Sequence, residues 1–323
     1  TSPGAPGVFR STPLPLRDLT GVRMDVCAFV GVAPRGPARE PVLDAIARDC
    51  RPDPRVIRKL RRTVPVAVES FDEYRRMYGA FEGPGLLPYA VASFFEQGGR
   101  RAYIARIVHD YGNDVPPALA ENPGRVAEGV VGDAHTPAGP LRLRARNEGA
   151  WGNQLRATLS FRHTPLSTLR LPPDPLTVAG GEALPEGTLL RLTLDNGLQQ
   201  YRFVRHVAEQ GLPDQAGSVQ QATLDQPLFA KAVRAEIVEG DLQIDDGDGR
   251  QELFTRQGLS SLHRSWLGAT LAYESQLVAP HASWIDLEIQ PDPTAPMESF
   301  KGGEDGYRDV TPEDFFDESW TLG

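Results

Sequence analysis

Near Leu141 the apolar residues change their spacing along the chain, and this change restricts the possible folds more than any other feature of the sequence. Upstream, Leu87, Val91, Phe94 and Phe95 recur at helical intervals. Downstream, Leu141-Arg142-Leu143-Arg144-Ala145-Arg146 alternates apolar residues with arginine, and Leu155 to Phe161 repeats the pattern. Helical spacing gathers apolar side chains on one stripe of a cylinder, whereas strict alternation gathers them on one face of a strand. The expected fold class is therefore α/β followed by a β-rich part. With 323 residues the chain is long enough for two cores, because single cores stop growing at about 250–300 residues.

The first 24 residues read as an extended N-terminal arm. Pro3, Pro6, Pro13 and Pro15 remove backbone donors and bias their neighbours toward extended conformations. Sixteen extended residues reach on the order of 50 Å, farther than most single domains are wide. Between the prolines, Gly7, Val8, Phe9, Arg10, Ser11 and Thr12 form a hexamer suited to adding as a strand to another molecule's sheet edge. These six are the candidate subunit-interface residues. Composition alone equally allows an unstructured terminus.

Residues 25–115 read as an α/β layer. Val26 to Val32 is almost wholly apolar and closes at Pro34-Arg35-Gly36-Pro37, which suits a strand buried on both faces in a parallel, helix-covered sheet. Cys27 then reads as a small core residue. A basic, proline-containing stretch from Ala38 to Thr63 precedes a short strand over Val64 to Val68. Ser70-Phe71-Asp72-Glu73 fits a capping box opening a helix that Gly79 stops. A second helix spans Leu86 to Gln97, with Gly98 and Gly99 as its left-handed cap, and Ala102 to Val108 is a strand.

Residues 140–290 read as a β-rich domain. Strands are expected at Leu141–Arg146, Leu155–Phe161, Leu190–Leu194, Gln200–Val204, Val233–Ile237 and Trp284–Ile289, with turns at Asp195-Asn196-Gly197 and Asp245 to Gly249. One helix is expected from Leu262 to Gln276, presenting Leu262, Trp266, Ala269 or Thr270, and Tyr273 on one face. Residues 291–323 read as an acidic loop, and Thr311-Pro312-Glu313-Asp314 as a helix start.

Little of this sequence points to chemistry. A net charge of −9 argues against nucleic acid as the main partner. The six histidines show no helical zinc spacing, and Asp245 to Gly249 lacks the alternating acids and closing glutamate of a calcium loop. No G-x-S-x-G and no phosphate-binding loop occur, since the glycines around Gly31 to Gly36 lack the required spacing and lysine. The acidic pairs Glu304–Asp305 and Glu313–Asp314 lack an apolar pocket to shift a pKa. Trp151-Gly152-Asn153 reads as packing at a bend. No apolar run approaches the roughly 18 residues of a membrane span, and no export signal opens the chain.

In series, several of these segments resemble the tail sheath protein family of contractile phage tails, R-type bacteriocins and extracellular phage-like injection systems. Ser2-Pro3-Gly4 and Pro6-Gly7-Val8 resemble its N-terminal arm, and Ala28 to Pro37 its first strand and Pro-x-Gly-Pro turn. Ser70 to Tyr74, Tyr78-Gly79 and Phe94 to Val108 are similar to its helix pair and F-F-x-x-G-G-x-x-x-Y-x-x-R passage. Ala150-Trp151-Gly152-Asn153 resembles the motif that opens its β-rich insertion. Gly302 to Gly306, with Val310 to Phe315, resembles the loop and helix start leading back to the conserved domain.

The resemblance implies an α/β sheath layer carrying an inserted, outward-facing β-rich domain, and it implies a conserved C-terminal sheath domain that the sequence here does not include. It implies a structural subunit, not an enzyme, that polymerises as stacked six-fold rings around an inner tube and contracts to drive the tube through an envelope. The implied partners are neighbouring sheath subunits, the inner tube protein, and baseplate and cap proteins. Nucleic acid, membrane insertion, cofactors, metals and catalytic residues are not expected. Assembly would take place in the bacterial cytoplasm, as part of a tail or a released particle. The alternative is a non-enzymatic surface or secreted binding module built on the β-rich domain.

Overall fold

The computed structural model describes residues 24–41, 61–63, 65–109, 126–179, 184–211, 218–280 and 287–316. The candidate arm strand Gly7 to Thr12, Cys50 and most of the basic stretch lie outside these residues, as does Trp284. The chain is β-rich with few helices and contains a large curled sheet.

The small layer is built on three strands, β1 (Val26–Gly31), β4 (Val66–Val68) and β5 (Arg101–Arg106), in the order β1-β5-β4. β1 and β5 are parallel, as their sequence suggested, but β4 runs antiparallel to β5, so the sheet is mixed. Beside it, β2 (Arg39–Pro41) and β3 (Arg61–Thr63) form a separate antiparallel pair. Two helices, α1 (Phe71–Tyr78) and α2 (Leu87–Glu96), cover one face of the three-stranded sheet. Tyr74, Tyr78, Leu87 and Val91 pack there against Val68, Ala102 and Ile104.

Both helices start and stop for local reasons. The Ser70 hydroxyl accepts the Glu73 N–H at 3.1 Å, while the Glu73 carboxylate accepts the Glu69 N–H at 2.8 Å. Half of the expected capping box therefore forms, and its return bond is displaced by one residue. At the end of α2 the chain turns through Gly98 at φ 91°, and the Gly99 N–H reaches the Phe94 carbonyl at 2.9 Å. A left-handed residue at this point is what glycine allows without steric cost.

Two expectations for β1 are corrected. Val26, Cys27, Ala28 and Val30 are exposed and only Phe29 and Gly31 are partly buried, so the strand is not enclosed on both sides. The cause is that both helices lie on the same face and β1 is the outermost strand.

The β-rich part holds two further sheets. The strands β6 (Glu128–Thr136), β7 (Gly139–Ala145), β16 (Val278–Pro280), β17 (Gln290–Pro291) and β18 (Glu298–Lys301) make a five-stranded antiparallel sheet. The eight-stranded sheet comprises β8 (Arg156–Pro165), β9 (Thr168–Arg170), β10 (Leu176–Ala179), β11 (Leu189–Leu194), β12 (Gln199–Gly211), β13 (Ser218–Leu224), β14 (Ala232–Asp245) and β15 (Gln251–Gln257). β14 is its spine. Along one edge it pairs with β8, and along the other with β11 and then β15, so the sheet divides and curls.

That curl explains why β11 departs from simple alternation. Leu190, Leu192 and Leu194 enter one core with Val178 and Val204, while Leu189 enters the other with Phe203 and Leu242. Arg191 sits between them and bonds Glu236 on β14 at 2.7 Å. The turns at Asp195–Gly197 and Asp245–Gly249 do connect antiparallel neighbours.

The expected helix over Leu262 to Gln276 shortens to α3 (Leu267–Tyr273), and its face differs. Leu267 and Leu271 are buried while Leu262 and Tyr273 are exposed. The preceding loop is held non-helical because Ser260 accepts the His263 N–H and Gly258 bonds both Ser265 and Leu267. The acidic segment is less irregular than expected, since β17 and β18 lie within or next to it and the Thr311 capping box opens a 3-10 turn over Pro312–Phe315.

Candidate functional site

β5 ends on Arg106, whose side chain is 1% exposed. A guanidinium so placed must find acceptors, because a buried charge left unpaired is far costlier than a neutral polar group. Arg106 finds three. Its Nε donates to the Ala33 carbonyl at 2.8 Å, Nη1 to the Gly36 carbonyl at 2.7 Å and Nη2 to the Glu148 carbonyl at 2.9 Å. The Glu148 carboxylate stands 3.9 Å away. Burial lowers the pKa of Arg106 and Glu148 opposes that shift, but an arginine remains charged in either case.

Ala33 and Gly36 belong to the turn after β1, and Glu148 leads into the 3-10 turn Ala150–Gln154 of the β-rich part. One side chain thus joins the layer to the β-rich part. Around it the backbone closes tightly. At Gly149, φ is 135° and a Cβ would overlap the Pro34 carbonyl oxygen, so the approach requires glycine. The Asn153 side chain donates to the Gly303 carbonyl at 2.9 Å and accepts the Gly303 N–H at 2.8 Å, and the Ala150 N–H reaches Asp305 at 2.8 Å. The ring of Tyr78, at the end of α1, lies against Gly36.

A second arginine reinforces the joint. Arg35 donates to Asp248 at 2.9 Å and to Asp246 at 3.4 Å, both in the turn after β14, and to the Arg75 carbonyl on α1 at 3.2 Å. Asp246 is fully buried, and it also accepts the N–H groups of Asp248 and Arg250 at 2.9 Å each. Arg250 crosses in the opposite direction, from the β-rich part to the Arg76 carbonyl on α1 at 3.1 Å. The acids of this turn are therefore committed to arginines and backbone donors.

The joint is built of fixed backbone dipoles and paired charges. Asp305, expected in a solvated loop, instead anchors Ala150. Asp314 accepts from Thr311 and meets His109 at 2.9 Å. Burial pushes the Tyr307 hydroxyl up to about 12, away from any role as a base near neutrality. Among the described residues no group of three His, Cys, Asp or Glu side chains is placed to hold a metal ion, and no helix is long and apolar enough to cross a membrane.

The layer also carries an uncovered surface. By register, Val26, Ala28 and Val30 of β1 share a face with Arg101, Tyr103 and Ala105 of β5, opposite the helices, and Arg101 at its end is paired with Glu69. Val30 is 57% exposed and Val26 and Tyr103 are each 38% exposed. The far edge of β1 pairs with no strand among the described residues. An apolar sheet face bounded by an open edge is a place for a partner strand or a packing layer.

The candidate arm residues Gly7, Val8, Phe9, Arg10, Ser11 and Thr12 lie outside the described residues, so the structure does not place them against this edge. The segments Ala28–Pro37, Tyr78-Gly79, Phe94–Val108, Ala150–Asn153 and Gly302–Gly306, separated by up to hundreds of residues in sequence, do meet at or around Arg106. Sequence reasoning singled out these stretches but not the side chains joining them. Arg35 and Arg106 lie inside those segments and Asp246 inside the turn at Asp245 to Gly249, whereas Glu148 carries no local signal. No protein-family model and no curated protein sequence matches the chain.

Proposed function

We propose that this chain is a structural subunit of a contractile sheath, polymerising as stacked six-fold rings around an inner tube. The observation that carries this reading is the meeting of the sheath-like segments at one buried joint. Segments that resemble a family in sequence order gain weight when they also form one three-dimensional arrangement. The exposed face of β1, whose far edge pairs with no strand among the described residues, adds a place where a neighbouring subunit would bind.

In this role the chain is not an enzyme and needs no cofactor. A head-to-tail contact that does not close yields a helical polymer, and strand addition ties subunits together while leaving them free to rotate. Gly7 to Thr12 would supply the added strand. Firing is then rigid-body rotation from a metastable extended state to a shorter, wider one, triggered at the baseplate. Neighbouring sheath subunits, the inner tube protein, and baseplate and cap proteins are the partners. Assembly would occur in the bacterial cytoplasm, with the β-rich part outward. Deleting Thr1 to Leu16 tests the arm: the variant should remain folded and fail to form stable tubes, and normal tubes from it would refute the arm's role.

A second reading has an observation of its own. Phe229 is 86% exposed and lies 6.0 Å from the Arg202 guanidinium, and Leu198 is also exposed in the turn between β11 and β12. Such a tip suits a binding module on the β-rich part. Substituting Phe229 and Leu198 by serine would abolish partner capture on that reading and leave tube formation intact on the sheath reading.

A further inference from the structure

We infer that the Arg106 joint is a mechanical lock that makes the layer and the β-rich part open and move as one cooperative body. The inference goes beyond sheath function and holds whatever the chain assembles into.

The two parts do not share a core. The cluster around Tyr74, Tyr78 and Ile104 belongs to the layer alone, while the clusters around Trp266 and around Leu192 belong to the β-rich part alone. Apolar burial therefore stabilises each part separately. The hydrogen bonds crossing between them include Arg106 to Glu148, Arg35 to Asp246 and Asp248, Arg250 to Arg76 and His109 to Asp314, with the Tyr307 ring against Gly83 beside them. Apolar surfaces can slide over one another with gradual loss, but hydrogen bonds fail over a fraction of an ångström.

At Arg106 that sensitivity is greatest. Its three acceptors come from both parts and water is excluded, so tilting one part against the other would strand a buried guanidinium. The contact of Gly149 with Pro34 leaves no slack for such a tilt. Two bodies, each with its own core, are thereby held in one relative orientation, and opening either requires breaking the joint. Arg106 is a positioning residue that acts through backbone carbonyls.

Hydrogen exchange of the intact chain, read by mass spectrometry on peptides from β5 and β14, tests this. In the wild type the slowest amides of both strands should open with the same free energy, as members of one unit. In Arg106→Met the β5 amides should exchange about a hundred-fold faster while those of β14 change by less than about three-fold. Arg106→Lys should fall between, because a single ammonium cannot bridge the three carbonyls. Arg35→Met, which leaves the buried Asp246 without its guanidinium, should separate the strands in the same direction by at least about ten-fold, and it decides the matter if Arg106→Met does not accumulate. Equal acceleration of β5 and β14 in these variants, or separate opening already present in the wild type, would overturn the inference.

Discussion

The β-rich part closes on itself and the layer does not. In the β-rich part the curl of the large sheet and the five-stranded sheet enclose two cores, and even β11 is buried on both faces. In the layer two helices cover one face of a small sheet, leaving Val26, Val30 and Tyr103 open on the other. The contrast shows where a partner is needed. The β-rich part encloses its own cores although β8 and β15 keep many exposed positions, whereas the layer's sheet has one covered face and one bare face that another body could complete.

Paired substitutions on opposite faces of the layer test this most strongly. Ile104→Asp puts a carboxylate into the covered face and should cost more than about 4 kcal/mol, enough to unfold the layer. Val30→Asp, on the strand paired with β5, should change stability by less than about 0.5 kcal/mol. Chemical denaturation followed by circular dichroism measures both. A large loss from Val30→Asp would mean that the open face is already covered within the isolated chain.

In the β-rich part, Trp266→Ala empties a fully buried site beside α3 and should cost about 3–5 kcal/mol, seen as a lowered midpoint in calorimetry. Ser70→Ala should remove about 1 kcal/mol from α1 by freeing the Glu73 N–H, and the Asp variant should restore most of it. The smallest effect concerns His263. Burial and then Arg264 hold its pKa below the ordinary histidine value, and its Nδ1 accepts the Ser265 N–H at 3.1 Å, which requires the neutral ring. The unfolded chain therefore binds the proton more readily. Stability should fall as pH drops below about 6.5 and stop falling once the folded-state pKa is passed. His263→Gln should flatten that slope in denaturation midpoints measured from pH 7.5 to 5.

Strands and turns with strong alternation, such as Leu141 to Arg146 and Asp195 to Gly197, were legible in the sequence because their cause is local. The exposure of β1 is not legible in the sequence, because an apolar run shows that a strand exists, not which of its faces other elements cover. The helix near Leu262 is shorter than its spacing suggests because that spacing continues into a loop that Ser260 and Gly258 fold by short-range backbone bonds. The joint was half legible. Glycines, a tryptophan and Arg106 stood in recognisable segments, but the acceptors of Arg106 are backbone carbonyls, and any residue type supplies a carbonyl.

The open face of β1 as a subunit contact is the centre of this account, and negative-stain microscopy of the chain expressed with its genomic neighbours tests it most directly. Wild-type protein should form striated tubes, and Val30→Asp should remain folded yet form none. Absence of tubes from the wild type, or equally abundant tubes from the variant, would contradict it.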